Sequence, residues 1–256
     1  RFLVAIGYRG DTFHGSQIQP NVRTVQGSIS DALKKIGWWT EGCLRMSSRT
    51  DAGVSVRMNL ARIDLPEAVS RSIDDTRILR ALNDHLPEDV VAWGARRVPV
   101  WSPSRPVVSR KYYYRSEISR RWPIEIDIDS LQRACSVLEG DHDFANLCRV
   151  EEGRDTERKV DVCEPWINSE GRPIGIMVCA QSFLWNQVRR MSSAVTGVIS
   201  GEIGVDELED ALNNPHNPVD FGMDPPEGLV LWEIEHDLLD GMGLNSTPDT
   251  SNFSTP

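Results

Sequence analysis

Residues 47–63, SSRTDAGVSVRMNLARI, join a short polar loop to a β-prone segment and decide how this part of the chain folds. Val54 to Ile63 is predicted to be a strand. The loop before it places a carboxylate, Asp51, two residues after Arg49 and two residues before Gly53. Gly53 permits a tight turn or a close approach of the backbone to a ligand. The stretch therefore predicts a loop that presents a carboxylate at the start of a strand.

The local pattern around Asp51 has two interpretations. Arg49 can hold Asp51 ionised through a charge-assisted hydrogen bond, which keeps the carboxylate available as a nucleophile at neutral pH. Asp and Gly are also ordinary turn residues, so the same pattern fits an Asx-turn with a surface ion pair. The local residues alone leave both interpretations open.

The segments on either side of this loop mix strands and helices. In the first half we predict strands at 2–8 and 90–98, a helix capped by Thr24 that ends at Gly37, and a short helix at 78–82. In the second half we predict strands at 110–118, 160–167, 174–180 and 229–235, and helices at 129–139 and 185–200. Because strands and helices do not strictly alternate, the pattern predicts an α+β fold rather than a doubly wound sheet.

A proline-rich stretch, Pro99 to Pro106, is the best candidate for a domain boundary. We therefore expect one domain at residues 1–105 and a second at 106–240. Residues 241–256 are rich in Ser, Thr, Asn and Gly and are predicted to be a disordered tail.

The composition narrows the class of protein. Hydrophobic residues make up 39% of the 256 residues and charged residues 26%, as in soluble globular proteins. No apolar run is long enough to span a bilayer. The five cysteines are widely spread without a CxxC pair, which favours a reducing cytoplasm over a disulfide framework or a zinc site. P-loop, HExxH and GxSxG motifs are missing from the sequence, and we expect neither a metal nor another cofactor.

Charge is distributed unevenly along the chain. The net charge is −10, yet residues 96–121 carry eight basic residues against one acid, Glu117. Residues 202–240 carry twelve acids and no Lys or Arg. The basic segment fits either an anion-binding surface or a solvated strand face that balances an acidic neighbour.

The segment Arg49-Thr-Asp-Ala-Gly-Val resembles the active-site motif of the TruA family of tRNA pseudouridine synthases. Six further segments resemble family motifs in the family's order: 7–19, 25–26, 109–114, 140–144, 182–189 and 227–231. The resemblance implies two similar halves with largely antiparallel sheets that form a pseudouridine-synthase core around a central cleft. Three departures, at Ser16, at Ser55 and in a shortened region near Arg105, point to an archaeal-type branch.

The resemblance also implies roles for individual residues. Asp51 is expected to be the attacking carboxylate, Tyr112 the tyrosine that packs against the target base, and Arg189 the basic partner of the carboxylate. On a strand Tyr112 and Tyr114 share one face while Tyr113 takes the other, so core packing is the alternative for these tyrosines. Arg189 and Arg190, considered alone, fit a solvated helix patch. Substrate or RNA contacts are expected from Arg49, Arg105, Arg110 and Lys111.

The implied function is the isomerisation of uridine to pseudouridine at positions 38 to 40 of the tRNA anticodon stem-loop. The target base would be flipped out of its stem, and Asp51 would act as a nucleophile or as a base. The implied partners are tRNA and a second copy of the chain in a homodimer. Two alternatives are a catalytically inactive RNA-binding module and a small-molecule hydrolase or transferase that uses Asp51.

Overall fold

The computed structural model describes residues 1–101 and 107–239. The chain forms two compact units that are discontinuous in sequence. The first contains Arg1–Ala52, Val56–Val108 and the chain from Glu235 onward, and the second contains Gly53–Ser55 and Ser109–Ile234. The expected boundary between residues 105 and 106, the residue Arg105 and the expected tail at 241–256 lie outside the described residues.

The described residues contain ten strands, six α-helices and several single 3-10 turns. The strands are β1 (Phe2–Tyr8), β2 (Leu44–Met46), β3 (Ser55–Ile63), β4 (Val90–Arg97), β5 (Val107–Tyr114), β6 (Gly140–Asp143), β7 (Glu157–Val160), β8 (Val162–Ile167), β9 (Pro173–Ala180) and β10 (Leu229–His236). The helices are α1 (Val25–Ile36), α2 (Glu67–Ser72), α3 (Asp75–Asn83), α4 (Ile128–Ser136), α5 (Gln187–Ile199) and α6 (Val205–Asn213).

The sheet of the first unit is built around β1. This strand pairs antiparallel with β3 on one side and β4 on the other, and β2 extends the sheet beyond β3. All seven residues of β1 are buried, which explains why the segment is an uninterrupted apolar run instead of an alternating one. Helix α1 begins as predicted, because the Thr24 hydroxyl oxygen accepts a hydrogen bond from the Gly27 amide at 3.2 Å.

The sheet of the second unit runs in the order β10, β5, β9, β8. Strand β5 pairs antiparallel with β9, with Tyr112 opposite Val178, and β9 forms an antiparallel hairpin with β8. Helix α5 is buried almost all round, as expected of a helix inside a core. No described helix is long and apolar enough to cross a membrane.

The expected α+β class with largely antiparallel sheets is confirmed. Some predicted bounds differ from those in the structure, as two examples show. The strand predicted at 110–118 ends at Tyr114, because Ser116–Ile118 forms a 3-10 turn. The helix predicted from residue 185 begins at Gln187, because Asn186 adopts a left-handed conformation with φ of 63°.

Candidate active site

Asp51 lies in the loop that joins β2 to β3 and is half-buried. The structure differs from the first interpretation of this loop, since within residues 1–101 and 107–239 no hydrogen bond or ion pair joins Arg49 to Asp51. Arg49 is exposed instead. The backbone contacts of the loop show how the segment that carries Asp51 is held in place.

Asn59 holds the loop on the side that precedes Asp51. Its carboxamide oxygen accepts the Ser48 amide at 3.2 Å, and its amide nitrogen donates to the Ser48 carbonyl at 2.8 Å. The same oxygen accepts the amide of Leu60 at 2.8 Å. Asn59 is fully buried within β3, where each of these hydrogen bonds avoids the cost of an unsatisfied polar group. Ser48 is thus tied to the sheet three residues before Asp51.

Thr50, the residue next to Asp51, is held from two other segments of the first unit. The Tyr8 hydroxyl lies 2.7 Å from Thr50 Oγ1. The Thr50 amide donates to Ser16 Oγ at 2.8 Å, and the Ser16 amide donates to the Thr50 carbonyl at 3.1 Å. Burial raises the pKa of Tyr8 to about 12, so its hydroxyl remains protonated at neutral pH. Thr50 can shift only if several part-buried hydrogen bonds break.

Two glycines allow neighbouring backbone to approach this loop. Gly15 has a φ of 89°, and a Cβ atom there would lie 3.0 Å from the Thr50 carbonyl oxygen. Gly53 has a φ of 85°, and a Cβ atom there would lie 2.8 Å from Pro226 Cγ. Both positions combine a left-handed conformation with a close contact, which only glycine accommodates without strain. Asp51 is therefore presented from a backbone that is fixed on both sides.

Sequence reasoning missed Tyr8, Asn59 and the structural role of Ser16. Ser16 counts as a departure from the family motif, yet it is buried and binds the residue beside Asp51. A signal for Asn59 was present, because an amide in the middle of an apolar strand must find hydrogen-bond partners. Tyr8 gave no such signal, since a tyrosine at the end of a buried strand is ordinary core.

In the second unit, the faces of β5 separate the predicted site residues. Tyr112 is 7% exposed and meets Phe183 edge to face, with ring centroids 5.3 Å apart. Tyr113 lies on the other face, against Trp166 and Trp232, so the predicted alternation of the tyrosines is confirmed.

The basic residues of β5 follow the same alternation. Arg110 shares the Tyr112 face and donates to the Gln181 carbonyl. Lys111 shares the Tyr113 face and pairs with Glu233 at 3.4 Å. Of the two, the geometry favours Arg110 for a contact beside Tyr112.

Arg189 is a buried residue of α5, 8% exposed, and the interpretation as a solvated patch is wrong for it. Its Nε donates to the Asp224 carbonyl at 2.8 Å, and its Nη1 lies 3.5 Å from Asn186 Oδ1. Arg190 is only half-buried and pairs with Asp220 at 2.9 Å. A buried guanidinium is stable only with such partners, so its direction is fixed by the segment around Asp224.

That segment, residues 220–226, is fastened to α5 by side chains of the helix. Ser192 donates to the Asp224 carboxylate at 2.8 Å, and Ser193 donates to the Phe221 carbonyl at 2.8 Å. Burial raises the pKa of Asp224 above its ordinary value, although the Ser192 hydrogen bond opposes the shift. The Tyr114 hydroxyl donates to the Pro225 carbonyl at 2.7 Å, which links the same segment to β5.

The acidic segment 202–240 neutralises part of the basic segment 96–121. Arg121 forms an ion pair with Glu202 at 2.6 Å, and Lys111 pairs with Glu233. The interpretation of the basic segment as a strand face balanced by acids therefore holds for Lys111, which lies on β5, whereas Arg121 lies beyond the end of that strand. No group of three or more His, Cys, Asp or Glu side chains in the described part of the chain is arranged to hold a metal ion.

Together, the candidate residues supply three kinds of chemistry. Asp51 offers a carboxylate that can attack or take a proton, on a backbone with little freedom. Tyr112 offers an aromatic ring with a hydroxyl group, and Arg189 a buried positive charge.

Comparison with known proteins identifies relatives along almost the whole chain. A family model described as tRNA pseudouridine synthase matches residues 134–237. The chain is 36% identical over 238 residues to the tRNA pseudouridine synthase A of Methanocorpusculum labreanum, covering 91% of this chain and 78% of that protein. It is 33% identical over 246 residues to the protein of the same name from Pyrococcus furiosus, covering 93% of this chain and 84% of that protein. It is 31% identical over 238 residues to the protein of the same name from Archaeoglobus fulgidus, covering 93% of this chain and 84% of that protein.

Proposed function

The chain belongs to the tRNA pseudouridine synthase A family, and from that premise we propose that it modifies uridines 38 to 40 of the tRNA anticodon stem-loop with Asp51 as catalytic carboxylate. As a tRNA pseudouridine synthase the protein isomerises uridine in tRNA. In that reaction the N1–C1′ bond of the nucleoside breaks, the uracil ring turns, and a C5–C1′ bond forms. The hydrogen at C5 leaves as a proton, so no electrons are gained or lost overall.

The observation that carries the role of Asp51 is the fixed backbone on both sides of it. Ser48 is bound to Asn59, and Thr50 is bound to Tyr8 and Ser16, by hydrogen bonds of 2.7 to 3.2 Å. A surface turn does not need three buried partner residues. A nucleophile does, because a misplacement of about 1 Å can cost about a hundredfold in rate.

We assign supporting roles in the reaction to two residues of the second unit, Tyr112 and Arg189. The target nucleotide leaves its stem at a cost of about a few kcal/mol, and its base packs against the ring of Tyr112. Asp51 then attacks as a nucleophile or removes a proton as a base, and the buried charge of Arg189 stabilises the carboxylate form. Arg189 is suited to this because its Nε is already held by the Asp224 carbonyl.

RNA contacts outside the reaction centre are proposed for the basic residues. Arg49 is exposed beside Asp51, and Arg110 lies on the Tyr112 face of β5, so both suit phosphate contacts. Lys111 is the weaker candidate because Glu233 already neutralises it. We further propose that the protein works in the cytoplasm as a homodimer on tRNA; its five cysteines are all free thiols, as a reducing compartment requires.

Replacement of Asp51 by Asn tests the proposal, because the substitution keeps the shape of the side chain and removes its charge. We expect no pseudouridine from the Asp51→Asn protein while its affinity for tRNA stays within about twofold of the wild type. Asp84→Asn, the same change at an exposed position, is the matched control and should remain fully active. Normal turnover by Asp51→Asn would refute the assignment. Binding of tRNA by a wild-type protein that makes no pseudouridine would favour the inactive RNA-binding module instead.

A further inference from the structure

Just before α5, the guanidinium group of an arginine stacks on an exposed aromatic ring. Trp185 is 40% exposed, and the guanidinium carbon of Arg149 lies 3.9 Å from the centroid of its ring. The Arg149 amide also donates to the Trp185 carbonyl at 2.8 Å. The two residues are therefore joined both through their backbones and through their side chains.

The backbone on both sides of this pair is fixed. Asn186, directly after Trp185, has a φ of 63°, an uncommon conformation for a residue other than glycine. The Leu184 amide, directly before it, donates to the Gln187 side chain at 2.8 Å. Arg149, the other partner of the contact, follows the 3-10 turn Ala145–Leu147, and that turn begins directly after the buried Phe144. A platform held in this way loses little entropy when a ligand binds to it.

The charge of Arg149 is available, unlike that of its basic neighbours. Arg154 pairs with Glu151 and Arg190 pairs with Asp220. Among residues 1–101 and 107–239 no carboxylate forms an ion pair with Arg149. In a protein with a net charge of −10, an exposed arginine that is stacked on a ring instead of neutralised indicates a site for an anion.

The pair is also continuous with the candidate active site. Trp185 follows Phe183 by two residues, and the Phe183 ring packs on Tyr112. Asn186, the next residue, contacts Arg189 through its side chain. All of these residues belong to the second unit, so the platform and the two site residues share one compact body.

From these contacts we infer that Arg149 and Trp185 form a nucleotide-binding subsite, in which an unpaired base of the substrate tRNA stacks on the platform and its phosphate meets the guanidinium. The subsite rests on the proposed function, because it takes a nucleotide from the same RNA whose uridine Asp51 modifies. An aromatic face accepts any base, while an arginine binds phosphate in a bidentate manner. The subsite therefore contributes affinity and placement of the RNA, and takes no part in bond making.

The test measures tRNA affinity and steady-state kinetics for changes in both residues. Trp185→Ala should weaken tRNA binding and raise KM by at least about fivefold, the effect of losing one stacked base, with kcat little changed. Trp185→Phe should recover most of the affinity because it restores a ring. Arg149→Ala should also weaken binding, and it alone should reduce the slope of log affinity against log salt by about 0.7 to 0.9, as expected for one lost phosphate contact.

Matched controls come from the same kinds of residue elsewhere in the chain. Trp39→Ala removes a ring that carries Lys34 at 5.4 Å in the first unit, and Arg154→Ala removes an exposed arginine that is already paired. Both should bind tRNA like the wild type. Trp185→Ala and Arg149→Ala proteins that bind as well as these controls would overturn the inference. A fall in kcat at unchanged tRNA affinity would also overturn it, because it would mean that Trp185 only orders α5. A change in the oligomeric state of either variant, measured by sedimentation, would overturn it as well. Because binding is measured apart from turnover, an inactive wild-type protein would reject the proposed function, while the affinities of the variants and controls would still decide the subsite.

Discussion

Gly53 is where the sequence around Asp51 is most constrained at the level of a single residue. Its φ of 85° is unfavourable for any side chain, and the space where a Cβ atom would sit is taken by Pro226. Gly171 has a similar φ of 79° with nothing within 4 Å of the added atom. Comparing alanine substitutions at the two positions therefore separates the cost of a left-handed backbone from the cost of a steric clash.

Gly53→Ala is expected to destabilise the protein by more than Gly171→Ala. The left-handed conformation alone should cost each variant about 1 to 2 kcal/mol in the free energy of unfolding. Gly53→Ala should lose additional stability and most of its activity, because either Pro226 or the Asp51 loop must move. Urea unfolding together with a pseudouridine assay checks this. Equal losses in the two variants, with full activity in Gly53→Ala, would contradict it.

Tyr8 offers a second test at the scale of one residue, because its hydroxyl group contacts the Asp51 loop at Thr50. Tyr8→Phe keeps the ring, which packs against Phe13 with centroids 6.3 Å apart, and removes the contact with Thr50. We expect a loss of about 1 to 3 kcal/mol in the free energy of unfolding and a fall in kcat of about tenfold to a hundredfold.

Tyr113→Phe is the matched control for Tyr8→Phe, because Tyr113 is half-exposed on the outer face of β5. It should change stability by less than about 0.5 kcal/mol and leave kcat as it is. A Tyr8→Phe protein with the kcat of this control would show that Thr50 does not need its partner hydroxyl.

At this scale the sequence predicts which residues bear the chemistry better than it predicts what holds them. Asp51 stands out because a carboxylate between Arg49 and Gly53 matches a known motif. The ion pair expected from that spacing is not present in the described residues, because nearness in sequence does not set the direction of a long side chain. The partners of Thr50 come from residues 8 and 16, whose proximity is created only when the sheet forms.

At the scale of elements, α5 and the segment 220–226 form one unit of support for Arg189. Two aspartates of that segment have pKa values shifted in opposite directions. Burial raises the pKa of Asp224, whereas hydrogen bonding by the Gly222 amide is the main cause that lowers the pKa of Asp220. Their contributions to stability must therefore depend on pH with opposite signs.

The raised pKa of Asp224 means that the folded state binds its proton more tightly than the unfolded state. Stability from this residue is present below the ordinary carboxyl pKa and is lost as pH rises through the folded value. Asp224→Asn should therefore be more stable than the wild type at pH 7, with the advantage shrinking as pH falls through about 4. Urea unfolding at a series of pH values measures the difference.

Asp220→Asn is the control with the opposite sign. Its lowered pKa gives stability that is present above the ordinary pKa and is lost as pH falls through the folded value. The variant should therefore be less stable than the wild type at pH 7 and similar to it in acid. A wild type that is more stable than Asp224→Asn at pH 7, with a gap that closes in acid, would mean that Asp224 acts as a favourable ion.

Most elements follow from the sequence because their apolar spacing is strong. Strands β1, β3, β4 and β10 and helices α1 and α5 are close to their predicted bounds. Strands β6 and β7, which pair antiparallel, were not predicted, since GDHD and ERKV carry no apolar alternation. Helix α6 was also not predicted, although its three buried residues, Leu208, Ala211 and Leu212, recur at helical spacing among its acidic residues.

At the scale of the whole molecule, the net charge of −10 opposes binding to RNA and makes the distribution of charge decisive. Within the described residues several arginines and lysines are already paired with acids of the segment 202–240, including Arg121, Lys111 and Arg190. The basic residues that remain for RNA then include Arg49 and Arg149.

RNA crosslinks are therefore expected on the basic residues and not along the acidic segment. With tRNA that contains 4-thiouridine, ultraviolet crosslinks mapped by mass spectrometry should fall near residues 49, 110 and 149. Crosslinks concentrated in residues 202–240 would contradict this account of the charge distribution.

The release of tritium from tRNA labelled at C5 of uridine tests the central claim most directly, because the new C5–C1′ bond expels that atom. The wild-type protein and the Asp84→Asn control should release one tritium for each uridine converted. Asp51→Asn should bind the same tRNA and release none. Tritium release by Asp51→Asn at the rate of the control would show that another group carries the reaction.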